Sequence, residues 1–117
     1  GPPPNLPKEL TPAQKNRAKA GADKFTKANF EFEGIMVEAL ADRESIPKRL
    51  LDNALELQKN SPRIQAALDD LKEKGQGTSA SIATCFKDAD AWTKKSKELR
   101  VRLKAALREY AKDEPEE

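Results

Sequence analysis

Three long stretches of this chain space their apolar and small residues at alternating intervals of four and three. The first runs Ala18, Ala22, Phe25, Asn29, Phe32, Met36 and Ala39. The second is Leu50, Ala54, Leu57, Ser61, Ile64, Leu68 and Leu71, and the third is Ile82, Cys85, Ala89, Trp92, Ser96, Leu99, Leu103, Ala106 and Tyr110. That alternation holds side chains on one stripe of an α-helix and is incompatible with the two-residue repeat of a strand. No stretch combines strict alternation with β-branched enrichment, so no strand is expected. Each stripe is narrow and rich in alanine, so burial against the other two must supply the stability. Similar lengths and short connections predict an all-α fold, an antiparallel bundle of three long helical segments running up, down, up.

Local signals place the boundaries. Thr11-Pro12 is a helix start, with a hydroxyl at the N-cap and proline where no N–H is needed. Asp42 to Pro47 reads as a turn and restart, and Gly75-Gln76-Gly77-Thr78-Ser79 as a loop with a C-cap glycine and an N-cap serine. Asn60-Ser61-Pro62 interrupts the middle segment, since proline inside a helix costs about 3 kcal/mol. The apolar phase nevertheless continues across it. The middle segment is therefore either one helix kinked there or two short ones, which would make four helices. The expected organisation is a Pro-rich, extended leader over 1–10, a single bundle over 11–112 and an acidic tail over 113–117. Gly1-Pro2 matches the scar of a cleaved tag, so the chain reads as an excerpt from a longer protein.

Composition narrows the function classes. In 117 residues, one domain's worth, Leu, Ile, Val and Phe number only 22, but the net charge is just +2, so a thinly cored, ordered domain is expected rather than disorder. No apolar run is long enough for a membrane span, and no signal peptide is recognisable. A single cysteine, Cys85, favours a reducing, intracellular setting, cytoplasmic or nuclear. With no histidine, the commonest general base and metal ligand is missing, along with every Ser-His or Cys-His arrangement. Gly75 to Ser79 lacks the pattern and the preceding strand of a phosphate-binding loop. Asp69-Asp70, Asp88 with Asp90, and Glu31 with Glu33 diverge on helices and suit solvent better than a cation. No enzyme, metal site or cofactor is expected.

Charge comes in blocks: +4 over residues 8–27, −4 over 28–93, +6 over 94–108 and −4 from Glu109 onward. Parallel first and last helices would set each basic block beside an acidic one, whereas a hairpin at Pro62 would bring two basic halves together. Exposed pairs contribute only ~0.2–1 kcal/mol each, but the balance favours the three-segment bundle. Two surfaces stand out as candidate sites. Phe30 and Val37 lie off the main stripe of the first helix, beside Glu33. Either Leu51 and Leu55 cover them or they form a docking face for a partner helix or peptide. Lys15, Arg17, Lys19, Lys94, Lys97, Arg100, Lys104 and Arg108 are candidates to contact an anion, and the first three sit where the helix dipole disfavours positive charge. The spacing is common to many helical bundles, and no residue signature selects a family. The expected function is a non-catalytic protein–protein interaction or scaffold domain. The alternative is electrostatic binding of nucleic acid or an anionic membrane surface, and heptad spacing leaves a homo-oligomer open.

Overall fold

A computed structural model of the protein describes residues 6–113, with side chains described through Glu109. The first half of the leader and residues 114–117 of the acidic tail lie outside the described residues. In chain order the elements are β1 (Lys8–Glu9), α1 (Pro12–Ala41), a single 3-10 turn (Arg43–Ser45), α2 (Lys48–Lys74), β2 (Gln76–Gly77) and α3 (Ser79–Asp113). All three helices pack against one another.

The helix ends follow from local chemistry. Thr11 Oγ1 accepts from the Gln14 backbone N–H at 3.1 Å, while the Thr11 backbone N–H donates to Gln14 Oε1 at 2.9 Å, a reciprocal cap that satisfies two orphan donors. Gly75 closes α2 with φ 65° and donates its N–H to the Leu71 carbonyl at 3.0 Å. The cap of α3 is Thr78 rather than a serine: its hydroxyl accepts the Ser81 backbone N–H at 3.0 Å.

Cross-links between helices give the topology. Arg17 pairs with Asp90 at 3.6 Å and Arg100 with Glu31 at 3.0 Å, so numbers rise together on α1 and α3 and the two helices are parallel. Ser61 Oγ donates to Asn29 Oδ1 at 2.7 Å and Thr26 Oγ1 donates to Gln65 Oε1 at 3.3 Å, so α2 runs against α1. Arg63 meets Asp88 at 3.4 Å and Trp92 meets Leu57 at 2.8 Å, which sets α2 against α3 as well. The bundle is up-down-up, and both inter-block charge matches expected from the sequence are made.

Phe25, Phe32 and Trp92 form the centre of the core. Trp92 lies 4.7 Å from Phe25 and 5.7 Å from Phe32 between ring centroids, in tilted and edge-on geometry, arrangements that contribute beyond the area buried. Met36, Leu68, Leu99 and Leu103 extend the apolar column. The polar stripe residues are satisfied inside it: Ser61 bonds Asn29, and Ser96 Oγ donates to the Thr93 carbonyl of its own helix at 2.7 Å.

One open alternative is resolved, and one expectation is revised. The middle segment is not split: α2 passes through Pro62 as one helix, and the bundle has three helices, not four. Proline removes the N–H that would bond the Gln58 carbonyl. The adjacent Leu57 carbonyl accepts the Trp92 indole N–H, so α3 packs directly onto the turn that proline interrupts. The revision concerns the leader, for which no strand was expected. Lys8 and Glu9 pair antiparallel with Gly77 and Gln76, Leu10 is buried, and its N–H donates to the Gly75 carbonyl at 3.0 Å. Two-residue strands carry no alternation, so the periodicity could not reveal them. Gly77 lets β2 lie close against α2 and α3: a Cβ there would lie 3.0 Å from Ser81 Oγ and 3.3 Å from Leu71 Cδ1.

Because the apolar phase and the tertiary contacts carry α2 through Pro62 as one helix, restoring the missing hydrogen bond should help. Pro62→Ala is expected to stabilise the domain by about 1–2 kcal/mol, the helix-interior cost less the entropy returned to the unfolded chain. Urea unfolding followed by helical circular dichroism checks this. A loss of stability would mean that proline itself positions the Leu57 carbonyl.

Candidate functional site

The outward face of α1 is where the fold leaves apolar chemistry unused. The inward stripe of this helix is buried from Ala18 to Ala39, but Phe30 is 78% and Val37 71% exposed. Leu51 and Leu55 do not cover them: Leu51 is buried and Leu55 half-buried within the central core. Phe30, Gly34, Val37 and Ala41 are all exposed and recur at intervals of four, three and four. They form a second seam on the side of α1 that faces away from α2 and α3. Asn29 borders it and links it to the interior. The Asn29 carbonyl oxygen accepts from the buried Ser61, while its amide nitrogen donates to Glu33 Oε1 at 3.4 Å. Leu40, 37% exposed, flanks the seam near its end. A shallow cavity of about 230 Å³ follows, lined by Leu40, Ala41 and the turn to Ser45.

The eight basic candidates do not assemble into one surface. Arg17 is held by Asp90 and lies 4.4 Å over the ring of Phe86, a cation–π contact that uses the charge at the start of α1 internally. Arg100 is half-buried against Glu31. Lys15, Lys19, Lys94, Lys97, Lys104 and Arg108 are exposed. Because α1 and α3 are parallel, Lys15 and Lys19 sit beside the start of α3, at the other end of the bundle from Lys104 and Arg108. Lys97 instead joins Lys24 and Lys27, residues not singled out from the sequence, around an open cavity of about 310 Å³ that also contains Glu31. Only the parallel register brings these lysines together, so linear order held no signal of them.

The remaining features carry structure. Cys85 is buried, and its thiol is pushed above its ordinary range by desolvation first and by Asp88 second. A thiol so placed is a poor nucleophile. The Gly75–Ser79 loop holds the β1–β2 pairing and both helix caps. Asp88 and Asp90 face Arg63 and Arg17 respectively. Among the described residues no group of three acidic or cysteine side chains is placed to hold a metal ion, and no helix is long and apolar enough to cross a membrane.

Comparison with protein-family models, with curated proteins and with solved structures returns no match.

Three outcomes follow. Phe30→Ser with Val37→Ser should change unfolding free energy by no more than about 0.5 kcal/mol, as for exposed positions. Phe25→Ala should cost about 3–5 kcal/mol. Paired urea melts check the contrast. The raised folded-state value of Cys85 stabilises the protein while the thiol stays neutral in both states. That contribution is lost as pH rises past the unfolded thiol's ordinary value and through the folded one. The urea midpoint of the wild type should therefore fall more steeply above pH 8 than that of Cys85→Ala. At pH 8 the native thiol should react with a disulfide reagent at least about tenfold more slowly than the unfolded one.

Proposed function

We propose that this domain is a non-catalytic interaction module that binds another protein through the outward face of α1. One observation carries the reading: two large apolar side chains, Phe30 and Val37, stay in water seven residues apart on a helix whose other stripe is fully used. A lone exposed apolar residue is ordinary. A pair in register, with Gly34 and Ala41 completing the spacing, is the pattern of a helix face that packs on something. The bundle supplies a rigid base for it, since the aromatic cluster lies directly behind this part of α1. A buried, unpaired cysteine and an exterior dense in charge suit a reducing, intracellular setting.

The competing reading is electrostatic binding of nucleic acid or an anionic membrane, favoured by the exposed lysines of α3. It is weakened by the internal use of Arg17 and Arg100 and by the separation of the two basic groups along the bundle. No described aromatic side chain is exposed among the basic residues of α3 to stack on bases.

A photoreactive phenylalanine analogue at position 37, and separately at exposed Lys59 on α2, tests the choice in cells. A discrete crosslinked protein is expected from position 37 and none from position 59. Equal, diffuse labelling from both would overturn the reading. Retention on heparin should disappear by about 150 mM salt, and binding that persists well above this would favour the anionic partner.

A further inference from the structure

We infer that the occupant of the α1 face is a basic amphipathic helix, with lysine or arginine flanking its apolar stripe, from a chain other than this one. The inference rests on the docking role proposed for α1 and adds the chemistry of the partner. Phe30, Gly34, Val37 and Ala41 occupy alternating core positions of a helix pair over three turns, about 16 Å of axis. The positions that flank such a seam decide which helix it accepts. On α1 every charged residue there is acidic: Glu31, Glu33 and Glu38.

Arg100 already neutralises Glu31. Glu33 accepts only the Asn29 amide, and Glu38 has no ion-pair partner among the described residues. The basic side chain nearest the seam on α1 is Lys27, at its N-terminal limit. Self-pairing of two α1 faces sets glutamate against glutamate whether the helices run parallel or antiparallel, so the seam repels its own copy. The basic α3 of a second copy fits the charge, but among its described side chains only Val101 is large, apolar and exposed. That is too little to fill a seam holding both Phe30 and Val37.

Gly34 adds a shape requirement. A helix-interior glycine is unfavourable, and nothing lies within 4 Å of where its Cβ would be. Packing inside this domain therefore does not demand it. Between Phe30 and Val37 it leaves a notch open to solvent, into which a bulky apolar side chain of an approaching helix can project.

Three 21-residue helical peptides test the inference. They share a leucine seam and differ only in flanking positions, which are all lysine, all glutamine or all glutamate. Binding is followed by backbone amide shifts of residues 30–41 in isotope-labelled protein. The lysine peptide should bind there at least about tenfold more tightly than the glutamine peptide, and the glutamate peptide should not bind. Glu33→Lys with Glu38→Lys should reverse the order, and Phe30→Ser with Val37→Ser should abolish binding. Equal affinity for all three peptides overturns the basic partner while leaving the docking role intact. No shift at 30–41 from any peptide overturns the inference too, and the crosslink through position 37 then decides whether the docking role survives. Sedimentation showing a dimer that shields Phe30 and Val37 would make the occupant a second copy and overturn it as well.

Discussion

The Trp92 side chain ties the bundle together. Its ring fills the space between Phe25 and Phe32 of α1, and its indole N–H reaches across to the Leu57 carbonyl of α2. One residue of α3 thereby fixes the height of both other helices. Apolar stripes rich in alanine can slide along one another at little cost, because small side chains interlock weakly. A directional bond at 2.8 Å and two ring contacts remove that freedom. The Asn29–Ser61 hydrogen bond does the same for α1 against α2. Polar residues on a core stripe select register in this way, at some cost in apolar burial.

With register set, the charges fall into place. The pairs Arg17–Asp90 and Arg100–Glu31 lie at separate heights along the parallel helices, and Arg63–Asp88 joins the third. Each is exposed or half-exposed and contributes little individually. Together they disfavour the antiparallel arrangement of α1 and α3, in which basic halves would coincide. They also use up charge that would otherwise be offered to an anion, and this bears on function as much as on stability. What remains outward is a basic side on α3 and an apolar seam with acidic borders on α1.

That seam lies opposite a fully buried face of the same helix. Phe32, Ile35 and Met36 anchor α1 inward over the same turns in which Phe30 and Val37 point outward. A docking face whose backbone is held from behind loses little entropy when a partner arrives. The leader contributes at the opposite end, where the buried Leu10 and the β1–β2 pairing tie it to the α2–α3 loop.

The 4–3 spacing alone was enough for an all-α fold with three helical segments, because helical period is a one-dimensional property. Thr11-Pro12 and Gly75 marked their boundaries for the same reason: caps are local chemistry. Phe30 and Val37 could be singled out because they lie off the stripe. Their exposure could not be read, since it depended on whether Leu51 and Leu55 turned toward them or into the core, and packing turned them inward. The apolar phase across Pro62 allowed one continuous α2 but did not choose it over two helices, and linear order held no trace of the pairing of Lys8–Glu9 with Gln76–Gly77 or the gathering of Lys24, Lys27 and Lys97. Each arises from contacts between residues far apart in the chain, where the energy of packing outweighs the local preference of a proline, a leader or a like charge.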